Sequence, residues 1–461
     1  MPPRPLVSLL PPRLLLQGLL TLVLLGQAPG CASYSERTAE ARARAAQGDY
    51  AAGAADLDRL LGVKEPGEQP TKFGDHTGLM LLERGMTFQA QGLYGLASRD
   101  LEVADKELEL LDISADVIGN IGKYIYSDSA PRYKASPFEK LALNAMNILN
   151  YLAEGDLRGA RVESKRFTVM RDYIEERDPN RAHGTIGSYL SGFVFEQLGE
   201  RNEAMRYYDE ALDGRSLVSL KEPVARLATQ TRYRGSNITD FLGRRESLVE
   251  PSWRPPEGPE TGEILTVVAL GRVPFKIPRR VPIGAAVGMA GAYVTGNLDV
   301  LRYSAFKVVV YPELVPAPRT FSRFAVEVDG ESVRADLVSN LAAETERDYE
   351  FIRPKIIGAA ISRMIARAVI AEGFRAAGNQ ESNGLGNILA LLAEGTLVGM
   401  DTPDTRSWTL LPAAIYVART RVAPGPHTVR VDLGGGERAQ REIEVDVPAG
   451  GYATAVVTTL R

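Results

Sequence analysis

The stretch FEKLALNAMNILNYLAEGDLRGARVESKRFTVM, residues 138–170, decides how the chain is read. Apolar residues recur at helical spacing on both sides of Gly155-Asp156, which predicts two helices meeting at a tight turn. Ala160, five residues past the glycine, is small where the second helix must approach the first. The same punctuation recurs at Gly48, Gly92 and Gly199, each followed five positions on by Gly53, Ala97 and Ala204. Four residues further stand Leu57, Leu101, Ser164 and Tyr208. An array of helical hairpins is the simplest cause of such a recurrence.

The turn glycines lie 44, 63 and 44 residues apart, longer than the roughly 34 of a standard tetratricopeptide repeat. The expectation is a divergent TPR-like array with long connections. Gly85 and Phe88 before Gly92, and Gly192 and Phe195 before Gly199, keep the offsets of that repeat, in which a small residue of the first helix packs on the second. The central unit departs from it, with Ile148 and Phe167 where small residues belong. Hairpins are expected at 38–62, 78–111, 138–170 and around Gly199, with a capping helix at 217–231. The widest connection, 113–137, is read either as a functional loop or as a solvated linker.

Past a Pro/Gly-rich segment, EPSWRPPEGPETG at 250–262, the period turns strand-like. Strands are expected at 263–269, 305–311, 324–328, 413–420, 428–433, 441–447 and 453–459, enough for a small sandwich. IYVARTRVAPGPHTVRVDL, 415–433, reads as a β-hairpin turning at Pro424-Gly425-Pro426. Between these strands, 354–377 carries Ile357, Ile361, Met364, Ile365, Ala368 and Ala371 along one helical face, with a second helix at 387–398. The fold class expected is α+β multidomain: 31–245 a TPR-like helical repeat domain, 246–262 a linker, and 263–461 a mainly-β, sandwich-like domain with a helical insertion at 354–399.

The chain is 461 residues long with 44% apolar and 24% charged residues, ordinary for globular protein. Residues 1–30 read as a signal peptide: Arg4 and Arg13 precede an apolar run, 14–25, too short to span a membrane, which takes roughly 20 residues. Ala28-Pro29-Gly30-Cys31 resembles a bacterial lipobox, which makes Cys31, the lone cysteine, the lipidation residue. An ordinary signal peptide with a coincidental cysteine is the alternative. Ala32 and Ser33 after the cysteine favour the outer membrane, periplasmic face. Without Arg4 and Arg13 the mature chain has 52 basic against 58 acidic side chains, which argues against nucleic acid.

No serine sits in a G-x-S-x-G elbow, no Walker A motif is present, and His76, His183 and His427 lack metal-ligand spacing. The Gly/Ala-rich segment 284–296 reads as a loop or hairpin rather than an anion nest. The chain is therefore read as a binding protein, not an enzyme, with no cofactor and no metal. Asn144, Asn147 and Tyr151 form a polar stripe on one helix face at i, i+3 and i+7, and Glu163 and Arg166 add charge on the partner helix. These five are the candidate partner-binding residues. The competing reading is that the amides bond between hairpins and that the charges form a solvated face.

Three blocks carry a resemblance. They are Pro137-Phe138-Glu139-Lys140 through 149–163, Gly271 to Lys276, and Asp404-Thr405-Arg406-Ser407-Trp408 through Leu411-Pro412 to Ala418-Arg419. In order, they resemble a largely uncharacterised family of bacterial tetratricopeptide-type envelope lipoproteins, often encoded near a lipoprotein similar to the penicillin-binding-protein activator. The resemblance implies a scaffold or adaptor in cell-envelope assembly that contacts another envelope protein, with no catalytic residue. Two alternatives stand beside it. One is glycan or peptidoglycan binding by the β domain, for which Trp253, Trp408 and Tyr416 are the candidate platforms. The other is a periplasmic hydrolase, which needs a deep acidic cleft.

Overall fold

The computed structural model describes residues 33–110, 133–177, 184–243, 258, 260–294, 298, 308–321, 323–378, 403–434 and 439–461. The signal peptide, Cys31, most of the 113–137 loop, Trp253 and the helix expected at 387–398 lie outside them. The fold is α+β, with helices dominating the first half and sheets the second.

The helical half opens with α1 (Tyr34–Arg37), α2 (Ala39–Gln47), α3 (Tyr50–Leu61), α4 (Thr77–Ala90) and α5 (Tyr94–Glu107). It continues with α6 (Pro137–Ala153), α7 (Leu157–Arg177), α8 (Thr185–Gln197) and α9 (Arg201–Ala211), and closes with a 3-10 turn (Val218–Leu220), α10 (Lys221–Ala228) and α11 (Ser236–Gly243). The central hairpin starts and turns where its sequence says. Ser136 and Glu139 form a capping box with Pro137 in the first turn of α6, satisfying N–H groups that the helix itself cannot. Gly155 ends α6 at φ +73°, a left-handed backbone that a side chain would oppose by about 1–2 kcal/mol. Asp156 Oδ1 then accepts from the N–H groups of Arg158 and Gly159, opening α7.

The β half contains β3 (Gly262–Leu270), β4 (Phe275–Pro282), β5 (Val308–Val315), β6 (Ala325–Val328), β7 (Glu331–Val333) and β8 (Asp336–Ser339). After them come β9 (Ala414–Val422), β10 (Gly425–Asp432), β11 (Gln440–Val447) and β12 (Tyr452–Thr459). Two earlier two-residue strands, β1 (Glu109–Leu110) and β2 (Lys134–Ala135), pair with each other beside the helices. Two four-stranded sheets result, one ordered β12-β3-β9-β8 and the other β11-β10-β6-β7. They pack face to face through Ile264, Val268, Val429, Val431 and Val457, each worth about 1.5–3 kcal/mol when fully buried.

The first sheet has a second covered face. Leu265, Val267, Ile415, Val417 and Val456 belong to one apolar cluster with Leu79 and Leu82 of α4, Met146 and Leu149 of α6 and Tyr189 and Phe193 of α8. The molecule thus has three layers: helices, the β3 sheet, and the β10 sheet. All nine residues of β3 are buried, the pattern of a strand covered on both sides. The core runs without a break across the expected boundary between the helical and β parts.

Three expectations need correction. The 415–433 segment is not a hairpin: β9 joins the β3 sheet and β10 the other. Pro-Gly-Pro reverses the chain but does not pair the two strands, because their inner faces must pack against each other across the sandwich. The 354–377 helix is the later part of one helix, α13 (Leu341–Gly378), with Pro354 inside it. The segment 284–296 contains a helix, α12 (Ile283–Ala290), not a loop or hairpin. α12, the β4–β5 ribbon and α13 share a separate cluster of Ala286, Val309, Tyr349, Ile356, Ile357, Ile361 and Met364. Ile357, Ile361, Met364, Ile365 and Ala368 of the predicted face are buried, and so are Ile356, Ala359 and Ala360 beside it, so this part of the helix is covered nearly all round.

Candidate interaction site

The first helix of each central hairpin faces the β3 sheet, and the polar stripe of α6 meets helices instead. Asn144 and Asn147 are buried, Asn147 at 0% exposure. Asn144 donates to Glu163 Oε1, and Gln89 Nε2 donates to Asn150 Oδ1 at 2.8 Å, so amides bond between and within hairpins. The Asn147 amide has no partner among the described residues. Glu163 is buried too, and burial raises its pKa against the Asn144 and Arg166 contacts that lower it. Tyr151, half-buried, donates its hydroxyl proton to Glu102. Of the five candidate partner-binding residues only Arg166 is exposed. The stripe therefore belongs to the interior, because α6 turns it toward the neighbouring helices: Asn144 meets Glu163 on α7 and Tyr151 meets Glu102 on α5. Trp408 is also buried and Tyr416 packs edge-on against Phe324, so neither presents a flat platform to a sugar.

The three blocks of the resemblance meet in space. Glu139 on α6 accepts from the Trp408 N–H at 2.9 Å. Val273 N–H donates to the Leu411 carbonyl at 2.9 Å, and Lys276 Nζ to the Arg406 carbonyl at 3.3 Å. Glu83 on α4 completes the joint by accepting from Thr409 N–H, Thr409 Oγ1 and Leu410 N–H at 2.7 to 2.9 Å. Burial raises the Glu83 pKa, and those three donors partly offset it. Sequence reading missed Glu83; its one signal is a carboxylate inside the apolar run LMLLERGM.

Where α10, β9 and the β6–β7 hairpin converge, a cavity of about 340 Å³ opens. Its inner wall is a charged cluster. Arg419 of β9 donates through Nε and Nη2 to the two oxygens of Glu263 on β3, both at 2.6 Å. It also donates to Tyr208 Oη at 2.8 Å and Glu196 Oε2 at 3.0 Å. Arg226 holds the other Glu196 oxygen at 2.5 Å. Burial alone would raise the Glu196 pKa, but Arg419 and Arg226 outweigh it and lower it. The same arginine lies over the Phe193 ring at 4.9 Å. With both its oxygens held by Arg419 of the same sheet, Glu263 serves as an ion-pair partner, and Arg419, through Glu196 and Tyr208, ties the sheet to the helices.

A second recess, about 460 Å³, lies between α7 and α9. Phe195 and Tyr207 stack at 5.2 Å to form its floor. Arg206 lies 4.1 Å over Tyr207 and Arg161 5.8 Å over Phe195. Lys165, Glu200 and Glu203 stand at the rim, and on α7 Val162 and Val169 are 54% and 71% exposed. Among the described residues no group of acidic, histidine or cysteine side chains is arranged to hold a metal ion, and no helix is long and apolar enough to cross a membrane. No protein-family model, curated protein or solved structure matches the chain.

Proposed function

We propose that this chain is a lipid-anchored adaptor of the bacterial envelope, a divergent TPR-like array closed by its own β layers that engages another envelope protein. The observation that carries the reading is the recess between α7 and α9. It spans two successive hairpins and combines an aromatic floor, arginines stacked on it, and Val169 of α7 left in solvent at its edge. Aromatic and arginine side chains with apolar neighbours are the composition of protein-binding hot spots. The inner face, where a repeat array commonly takes a peptide, is filled by the β3 sheet.

The anchor reading draws support from the start of the described body. Ser33, two residues past Cys31, caps α1 in a capping box, and Tyr34 is already buried. A diacylglycerol on Cys31 would therefore hold the body against the bilayer with almost no tether. Acyl chains contribute about 0.8 kcal/mol per buried CH₂, so several chains fix the protein permanently.

A photo-crosslinking residue at Val169 in the full chain should yield one discrete adduct with an envelope protein, which Arg206→Glu removes. Adducts from the sheets and none from Val169 would move the contact off the array. For the anchor, Cys31→Ser should release the protein into the periplasm, and a mutant still in the outer-membrane fraction would end the lipoprotein reading.

A further inference from the structure

We propose that the cavity beside β9 is a strand-addition site, built to take an extended segment of another polypeptide. β9 pairs with β3 along all nine residues. On its other side β8 covers only Ile415 to Val417, because the chain enters β8 at Asp336, opposite Val417. Ala418 to Val422 has no strand there, and among the described residues no main-chain hydrogen bond reaches that edge. The gap lies in the middle layer. Above it stand Val218 and Pro223 of the helical layer, below it Val328 and Val333 of the β10 sheet, and between them is the 340 Å³ cavity.

The main chain there faces the opening. The Arg419 side chain is 2% exposed, yet the residue as a whole is half-buried, so its exposure lies in the backbone. An unpaired edge of N–H and C=O groups is a template for another strand, and natural proteins usually blunt such edges with bulges, charges or a covering element. Here the open stretch is five residues long, about 17 Å of extended chain, walled on both faces and open at the side. A partner segment lying in line with β8 would satisfy those groups, and main-chain pairing of this kind supplies affinity while alternate side chains supply choice.

The walls define the ligand. Thr420 and Val422 face the sandwich, so alternate side chains of the added strand would meet Val328 and Val333 and must be apolar. The others would point to the helical layer, where Arg421 and Glu222 line the cavity and polar residues fit. The bound class is an extended segment alternating apolar with polar residues. The site gives the adaptor a second contact and rests on that reading only in assigning the segment to another protein.

The probe is a phage-displayed library of random seven-residue peptides, panned on the full chain. The expected binders alternate apolar and polar residues. A synthetic copy should slow hydrogen exchange of the segment containing Ala418 to Val422. Ser332→Trp at an exposed position and Val218→Trp at a half-buried one, which fill the slot from its two walls, should each weaken that peptide at least tenfold with thermal unfolding unchanged. Val169→Glu should leave it bound. Failure to recover a binder, protection that spares 418–422, or unchanged affinity in both folded tryptophan variants would overturn the proposal. A concentration-dependent dimer that protects 418–422 without peptide would overturn it too, by assigning the slot to a second copy. The Val169 crosslink is read separately, so the slot can fail while the recess between α7 and α9 stands.

Discussion

The carboxylate of Glu139 and the main-chain N–H of Trp408 lie 2.9 Å apart, bridging 269 positions of sequence. The two oxygens of this one carboxylate thereby join the capping box of α6 to the segment that leads into β9. Glu139 also accepts the Tyr133 hydroxyl proton at 2.6 Å and the Ser136 N–H at 2.8 Å. A single side chain thus starts a helix and pins a distant loop.

Glu139→Ala should be costly, because it leaves three donors without their acceptor. Hydrogen bonds to a charged group are worth about 1.5–3 kcal/mol each net, and contributions within one network do not simply add. A loss of about 3 kcal/mol is expected, read as a lower urea midpoint. Tryptophan emission should shift to the red as Trp408 gains solvent. An unchanged midpoint and spectrum would make the Glu139 contacts incidental.

Arg419→Met removes the cation that neutralises Glu196 and Glu263. Breaking a buried pair from one side typically costs about 3–5 kcal/mol, because the partner charge stays buried. Adding Glu263→Gln should recover much of the loss, since the stranded charge goes with it. If the double variant is no more stable than the single one by chemical denaturation, the cluster is not the tie between layers described above.

Glu344, in the first turn of α13, is 4% exposed. Burial raises its pKa from 4.5 to about 7, against the opposing pull of Arg215 and Arg347. Because the folded value is the higher one, the folded state binds the proton more tightly than the unfolded state does. Stability from this group is therefore complete below pH 4.5 and is lost as pH rises to about 7. Glu344→Gln should match the parent near pH 4.5 and unfold several degrees higher at pH 8. Equal melting temperatures at pH 8 would refute the shift.

Gly192 sits where a Cβ would run into the Tyr208 ring. Gly192→Val should cost about 1–3 kcal/mol through overpacking. The Tyr208 hydroxyl, which bonds Glu196 and receives Arg419, would be pushed off line as well. The check is thermal unfolding of Gly192→Val beside Gly155→Val. The second variant meets no neighbouring side chain and reports backbone strain alone.

Local chemistry carried far into this structure. Gly48, Gly92, Gly155 and Gly199 all end helices at positive φ, and Gly53, Ala97, Ala160 and Ala204 lie where helices come close. Strand positions were legible wherever β-branched residues ran between turn signals. β4 was not, because Arg279, Arg280 and two prolines break its pattern, and β7 and β8 are too short for one. Pairing was the harder matter. Pro424-Gly425-Pro426 announces a reversal, yet whether strands pair depends on the sheet each one joins, and that is settled by residues far away in sequence. The polar stripe of α6 failed for a related reason. Asn144 and Asn147 look like surface residues until the helices of the array close around them, Asn144 meeting Glu163 of α7, and Glu83 looks like a solvated charge until Thr409 and Leu410 arrive to claim it.

β3 touches helices on one face and a second sheet on the other, and along its edge it lies parallel to β12. Parallel neighbours cannot form by simple reversal of the chain, and such long-range pairings are slow to assemble. The order of manufacture is thereby constrained. A chain emerging from the ribosome, or threading through a translocon, holds an apolar strand with an open flank until residue 459 has arrived. During that interval the hairpins must shelter the strand or a chaperone must. The fold closes from its last strand, so damage near 452–459 would strike at biogenesis before it reached any surface that meets a partner.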